Sequence, residues 1–190
     1  DAKSLLSADL VTLTRTDTIT DKDGDTSTGS NSINLGSAIS FLDDGPSITV
    51  STTTPSAASL QVDESNLASN TTVSFTGSFS NTPVYGADGA GTAITSTYAL
   101  GIKATAADSG LTDTATGQKV YLYLESGVVV GRVGVADAAS ATGNISFTVT
   151  NSNGSLTLDQ VRAITHPVTT NPDDAKSLLS ADLVTLTRTD

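Results

Sequence analysis

The sequence predicts an all-β fold: an Ig-like or Greek-key β-sandwich module that belongs to a tandem array and carries a few short helical turns. Apolar residues alternate with threonine and other polar residues in many short runs, as in half-buried strands. Ser, Thr and Gly fill much of the remaining chain, and good helix formers are few. The tandem arrangement follows from an exact repeat, because residues 1–17 and 174–190 have the same sequence, DAKSLLSADLVTLTRTD.

Each element follows from a local pattern. Alternation from Leu10 to Ile19 predicts the first strand, and the Asp-rich segment Asp21–Asp25 is typical of a turn that returns the chain. A tight turn at Glu125-Ser126-Gly127 separates two apolar runs and predicts a hairpin. Short helical turns are predicted at Leu158–Ile164 and Asp174–Leu179. The predicted strands are Leu10–Ile19, Ser32–Leu35, Ala38–Leu42, Ser47–Val50, Thr72–Phe79, Thr97–Lys103, Lys119–Leu124, Gly127–Val135, Asn144–Thr150 and Ser155–Leu158.

The repeat sets the domain organisation. Its period is 173 residues, the offset from Asp1 to Asp174, so each unit is long enough for a domain with its own core. Residues 1–46 are predicted to be the C-terminal strands of one module and residues 47–59 an inter-module linker. Residues 60–190 are then the N-terminal and central part of the next module. The two identical segments should adopt the same conformation.

Composition restricts the classes of function. The net charge is −11, from 20 acidic residues of which all but Glu64 and Glu125 are aspartate. This acidity argues against nucleic acid and anionic membrane surfaces as partners, and no apolar run of 18 residues predicts a membrane span. Without cysteine the chain has neither disulfides nor a thiolate metal site. An excess of aspartate favours a hard divalent cation such as Ca²⁺.

Candidate calcium ligands lie in three places. Asp21, Asp23 and Asp25 surround Gly24 in a turn that lacks EF-hand spacing, and a solvated acidic turn is the alternative. The pairs Asp43-Asp44 and Asp63-Glu64 flank the expected linker, where one ion could join and stiffen two modules. The alternative is that no ion binds there, that Asp43 accepts hydrogen bonds from backbone N–H groups at a turn, and that Glu64 is exposed. A weaker candidate is Asp88, in the glycine-rich loop Tyr85–Gly91.

Catalysis is not expected. His166 is the only histidine, which disfavours a zinc site or a Ser-His-Asp triad and favours a packed loop residue. Asp108, Asp113 and Asp137 could be glycosidase carboxylates, but only 4% of residues are aromatic and nothing in the sequence brings two of them together. We therefore predict a protein that is not an enzyme.

Seven segments form an ordered set of motifs: Leu60–Ser65, Tyr85–Gly91, Ser109–Gly117, Leu156–Gln160, Ala163–Pro167, Ile19–Asp25 and Phe41–Pro46. Together they resemble a known family, the tandem modules of giant bacterial RTX-type adhesins exported by type I secretion. The resemblance implies extracellular, cell-surface β-sandwich extenders that bind Ca²⁺, often at module junctions, through Asp21, Asp23, Asp25, Asp43, Asp44, Asp63, Glu64 and Asp88. The glycine-rich nonapeptide calcium repeats of such proteins are absent from this sequence.

Three functions remain open at this point. The first is a structural extender of an adhesin or biofilm-matrix fibre, whose partners are neighbouring identical modules. The second is a module that binds extracellular polysaccharide or other cells by avidity. The third is a self-assembling fibre subunit in which residues 1–46 of one chain complete the sandwich of another.

Overall fold

The computed structural model describes residues 2–56, 59–168, 170–171 and 173–190, and it confirms the all-β prediction. Helical structure in the described residues consists of three-residue 3₁₀ turns. The chain divides into two compact units. Asp1–Ser47 and Pro83–Ala90 form the first unit, and Ile48–Thr82 and Gly91–Asp190 form the second, so the chain passes between the units three times.

The first unit contains four strands in two antiparallel pairs. Strand β1 (Ala2–Ser4) pairs with β4 (Ser40–Leu42), and β2 (Thr12–Thr20) pairs with β3 (Thr26–Asn34). The β2–β3 pair is a long hairpin in which hydroxyl groups pair across the strands, Thr14 with Ser32 at 2.6 Å and Thr18 with Thr28 at 3.1 Å. All eighteen residues of this hairpin's strands are exposed.

Strand β5 (Ser47–Thr52) begins at the boundary between the units and pairs with a later strand, Phe79–Val84. A strand was predicted at Ser47–Val50, within the expected linker 47–59, and the observed strand continues two residues further, to Thr52. Ile48 and Val50 alternate with polar residues, and the Thr53 N–H donates to the Ser78 carbonyl at 2.8 Å. The role of residues 47–59 as an inter-module linker stays a prediction. Residues 57 and 58 of the expected linker lie outside the described residues.

The second unit is built on a six-stranded antiparallel sheet. Five consecutive strands between Ala107 and Gln160 form a meander, in which each strand pairs with the next. An earlier strand, Thr71–Ser74, pairs with the last strand of the meander, Ser155–Gln160, and forms one edge of the sheet. A separate antiparallel pair is formed by the segments Thr97–Ile102 and Val184–Thr189. The remaining strands are β6 (Thr71–Ser74), β7 (Phe79–Val84), β8 (Thr97–Ile102), β9 (Ala107–Thr112), β10 (Lys119–Glu125), β11 (Val128–Val133), β12 (Ile145–Ser152), β13 (Ser155–Gln160) and β14 (Val184–Thr189).

The six-stranded sheet and the β8–β14 pair share one core, which gives the second unit a sandwich-like arrangement. Leu100 of β8 and Leu183, which precedes β14, pack with buried residues of the large sheet. Val120, Leu122 and Val129 of that sheet are fully buried. The remaining members of the core cluster are Leu111, Val133, Phe147, Val149 and Leu156.

The hairpin predicted at Glu125-Ser126-Gly127 is present. Glu125 pairs with Val128, so Ser126 and Gly127 form a two-residue loop, and both have positive φ (50° and 83°). Positive φ at both loop residues is the geometry that matches the twist of an antiparallel pair. On the flanking strands, Arg132 holds Glu125 through two hydrogen bonds of 2.6 and 2.8 Å.

Both predicted helical turns are wrong. Leu158–Gln160 continue β13, and the N–H groups of Val161 and Arg162 both donate to the Ser146 carbonyl. Residues 174–179 contain no helix, and the Leu179 N–H donates to the Ser109 carbonyl at 2.8 Å. Segments this short form too few internal hydrogen bonds to compete with bonds to a neighbouring strand.

Two strand predictions also need correction. The run Thr72–Phe79 is two strands, β6 and β7, separated by a 3₁₀ turn at Thr76–Ser78. The Ser78 N–H donates to the Phe75 carbonyl at 3.0 Å, which interrupts the extended chain. Strand β9 was not predicted because Asp108, Ser109 and Gly110 hide its alternation, although Ser109 is fully buried.

The identical segments adopt the same conformation over most of their length. Ser7 and Ser180 have nearly equal dihedral angles, −144°/147° and −149°/145°, and each precedes a 3₁₀ turn and then a strand. Before these serines the segments differ, since Ala2–Ser4 is a strand and residues 175–177 are not. The prediction of equal conformation is therefore confirmed from Ser7 and Ser180 onward.

Candidate metal centres

The first acidic cluster is the turn between β2 and β3. The Asp21 N–H donates to the Asp25 carbonyl at 2.9 Å, and Gly24 closes the turn with φ 101°, a conformation that favours glycine. This turn brings Asp21, Asp23 and Asp25 to one side, with one carboxylate oxygen of each within 4.8 Å of the others. All three side chains are exposed.

Hydrogen bonding within this turn keeps Asp21 ionised. The pKa of Asp21 lies below its ordinary value, chiefly through its interaction with the neighbouring Asp23 side chain, and the backbone N–H groups of Asp25, Asp23 and Gly24 add to the effect. The bond from the Asp25 N–H is 2.9 Å long. The turn therefore presents a negatively charged group at neutral pH.

The second cluster brings together Asp43, Asp44 and Asp88, which also place one oxygen each within 4.8 Å of the others. Asp44 accepts hydrogen bonds from the Ala87 N–H at 3.1 and 3.4 Å. Gly86 permits this approach, because it has φ 72° and a Cβ there would lie 2.6 Å from an Asp44 oxygen. The cluster joins parts of the first unit that are distant in sequence.

Both clusters have the donor set of a hard divalent cation. Ca²⁺ takes six to eight oxygen ligands, and three carboxylates with neighbouring carbonyls and water can supply them. Within the described ranges, none of the six carboxylates forms an ion pair with lysine, arginine or histidine. A bound cation would therefore offset a repulsion that the described side chains leave in place.

Asp63 and Glu64 belong to neither cluster and accept hydrogen bonds from groups of the second unit. Asp63 caps a 3₁₀ turn and accepts from the Ser65 N–H at 2.8 Å, which lowers its pKa. The Glu64 carboxylate accepts from the Gln160 side chain at 2.6 Å and from the Ile164 N–H at 2.8 Å. Their proposed role as ligands at a module junction stays a prediction.

His166 is a half-buried loop residue. Its Nδ1 lies 2.7 Å from the Asp174 carbonyl oxygen and its Nε2 lies 3.4 Å from Glu64 Oε1. The three aspartates considered as glycosidase carboxylates each have a partner of another kind. Asp108 pairs with Lys119, Asp113 pairs with Arg162, and Asp137 bonds with Gln118.

Sequence reasoning missed a buried acid at the end of β14. The Asp190 side chain has no exposed surface, and it accepts hydrogen bonds from Ser96 at 2.5 Å, Arg188 at 2.6 Å and Asn81 at 3.1 Å. These donors lower the pKa of Asp190, with the Ser96 hydroxyl as the main cause. No local pattern around Asn81 or Ser96 indicates that they meet this carboxylate.

Comparison with known proteins places the chain in a family but does not supply a function. No curated protein matches it, and no solved structure matches it. None of the helical turns in the described chain has the length or apolar character needed to cross a membrane. The family model described as a domain of unknown function, DUF5801, matches residues 59–190. The chain therefore belongs to the DUF5801 family.

Proposed function

We propose that this protein is a structural extender repeat of an extracellular, calcium-stiffened bacterial adhesin or matrix fibre, and not an enzyme. The observation that carries the proposal is the exact recurrence of seventeen residues after 173 positions, with the same turn and strand in both copies. Repetition of a whole domain without drift suits a need for length or for many equal contacts. The neighbouring copies are the principal partners.

Calcium enters the proposal through the two acidic clusters of the first unit. The position of the Asp43, Asp44 and Asp88 cluster suits a role in stiffness. Asp88 belongs to Pro83–Ala90, a segment of the first unit that is flanked on both sides in sequence by segments of the second unit. An ion bound by these three carboxylates would fasten the returning segment to the Asp43-Asp44 turn. Such a fastening would restrict bending of the chain at this position.

Calcium should raise the melting temperature of the chain, because an ion that binds only the folded state stabilises it by mass action. Each site contributes about 2.7 kcal/mol when free Ca²⁺ is 100 times its dissociation constant. Differential scanning calorimetry in Ca²⁺ and in chelator measures this shift. Asp88→Asn and Asp23→Asn should each remove part of it, whereas Asp173→Asn, an exposed acid outside both clusters, should leave it unchanged. An equal melting temperature in Ca²⁺ and chelator would exclude structural calcium.

Calcium should also make the chain stiffer. Small-angle X-ray scattering of the full chain should give a longer maximum dimension and a weaker signature of flexibility in Ca²⁺ than in chelator. Replacing both Asp43 and Asp44 with asparagine should abolish the response, while the Asp173→Asn control retains it. Profiles that do not depend on Ca²⁺ would remove stiffening from the proposed function.

A further inference from the structure

The same residues are exposed in one copy of the repeat and buried in the other. Leu10 is 61% exposed, whereas its equivalent Leu183 is 5% exposed and belongs to the core of the second unit. Leu13 is 58% exposed, whereas its equivalent Leu186 is half-buried and packs against that core. In the second copy the strand β8 provides the cover, with Leu186 opposite Leu100.

The polar end of the strand shows the same contrast. The Arg15 and Asp17 side chains are 84% and 64% exposed and contact each other at 3.0 Å. Their equivalents, Arg188 and Asp190, are 12% and 0% exposed. Asp190 is held by Ser96 and Asn81, and neither contact has a counterpart at Asp17 among the hydrogen bonds of the described chain. The second unit therefore provides a binding site for this strand, formed by β8, Asn81 and Ser96, and it is the second copy that occupies this site.

The two copies use opposite edges of the same strand. In the first copy, the Leu35 N–H donates to the Val11 carbonyl at 2.7 Å and the Asp21 N–H to the Asp25 carbonyl at 2.9 Å, so odd-numbered residues of β2 face β3. In the second copy, the Lys103 N–H donates to the Leu183 carbonyl at 3.1 Å. Leu183 corresponds to Leu10, so the residues that face β8 are equivalent to the even-numbered residues of β2.

Each copy therefore leaves free the edge that the other copy uses. In the described residues, β2 and β3 form a sheet of two strands, and so do β14 and β8. A single strand of this sequence can hydrogen bond on both sides at once, because successive N–H and C=O groups of a strand alternate between its two edges. No bond of one pairing has to be broken to form the other.

We propose that β14 is the central strand of a three-stranded sheet, completed by the β3 segment of the next copy of the repeat in the same polypeptide. In that sheet β8 lies on one side of the shared strand and the next copy's Thr26–Asn34 on the other. By the same rule, the open edge of β2 receives Thr97–Ile102 of the preceding copy, with Leu13 opposite Leu100 and Arg15 opposite Tyr98.

The apolar surface and the division of the chain support this pairing. The surface that would meet the preceding copy includes Leu10, in the 3₁₀ turn before β2, and the paired hairpin residues Leu13 and Ile33, which are 61%, 58% and 59% exposed. The boundary between the two compact units falls between Ser47 and Ile48, so one module extends from there to the equivalent of Ser47 in the next copy. The pairing rests on the tandem repeat of the proposed function but not on calcium or location, so the exchange test can fail while the calcium tests succeed.

Hydrogen exchange on a lengthened chain tests the proposal. The chain is extended after Asp190 by a second copy of Thr18–Ser47, as the repeat dictates. In the original chain the amides of Leu186 and Arg188 face the open edge and should exchange quickly, while those of Thr185 and Thr187 face β8 and are protected. Lengthening should slow the Leu186 and Arg188 amides by about tenfold or more, as expected for amides that enter a ladder.

A matched control carries the same extension with Asn31→Pro in the added copy only. Asn31 lies opposite Arg15, and its N–H faces the shared strand, so proline removes one of the new hydrogen bonds. Exchange at Leu186 and Arg188 should then return toward the rates of the original chain. Unchanged rates on lengthening, equal slowing in the proline control, or slowing that occurs only when the lengthened chain dimerises would overturn the proposal.

Discussion

Leu183→Ala should lower the free energy of unfolding of the second unit by about 2–5 kcal/mol, whereas Leu10→Ala should change stability by less than about 0.5 kcal/mol. Both substitutions remove the same atoms from the same seventeen-residue sequence. They differ because Leu183 fills the core beside Leu100, and Leu10 is exposed. Urea denaturation followed by tyrosine fluorescence measures the difference. Three of the four tyrosines, Tyr98, Tyr121 and Tyr123, lie in the second unit, and Tyr85 lies in the first.

Each variant serves as the control for the other. Both substitutions are made in the same seventeen-residue sequence, so their effects on helix and strand propensity cancel when the two stability changes are compared. Equal losses would mean that Leu10 is buried in solution. A small loss at Leu183 would mean that β14 contributes little to the second unit. Either result would contradict the pairing of β14 with β8 and its packing against the core of the second unit.

Arg162→Met should lower the free energy of unfolding by about 3–5 kcal/mol at neutral pH, because it leaves a buried carboxylate without its counter-charge. The Asp113 side chain is 1% exposed and receives two bonds from Arg162, at 2.7 and 3.1 Å. Thr116 adds two donors, its backbone N–H at 2.9 Å and its hydroxyl at 2.6 Å. Denaturant unfolding at pH 7 measures the loss.

The loss should depend on pH in a defined direction. In the unsubstituted chain the Arg162 guanidinium holds the pKa of Asp113 below its ordinary value, against the opposing effect of burial. Its stabilising contribution is therefore present above the unfolded-state pKa of about 3.9 and is lost as the pH falls through the lowered value. In Arg162→Met the pKa of Asp113 should be higher than in the unsubstituted chain, because the guanidinium that lowers it is gone and burial remains. The penalty should therefore shrink as the pH falls and the carboxylate becomes protonated.

A double variant separates charge from packing. Asp113→Asn combined with Arg162→Met removes both charges and keeps a side chain that Thr116 can still contact. It should be more stable than Arg162→Met alone, because no ion is left buried. A double variant as unstable as the single one would show that the guanidinium acts through packing and not through its charge.

The sequence by itself determined the all-β class and the positions of most strands. Alternation at Leu10–Ile19 and the Ser126-Gly127 turn are local signals, and local backbone and solvent preferences are enough to interpret them. The turn cluster Asp21, Asp23 and Asp25 could also be predicted from the sequence, since its members are neighbours in the chain. The exact repeat predicted equal local conformation, and both copies form the same turn and strand from Ser7 and Ser180 onward.

Only the tertiary structure decided which groups meet across long separations. It brought Asp88 to Asp43 and Asp44, Arg162 to Asp113, and Ser96 to Asp190, none of which has a local signature. It also decided that Leu158–Gln160 is strand, because ladder bonds to the neighbouring strand outweigh a weak helical preference. The identical segments show the division most directly. From Ser7 and Ser180 onward they share one backbone conformation, but burial depends on the available partner, so Leu183 is core and Leu10 is surface.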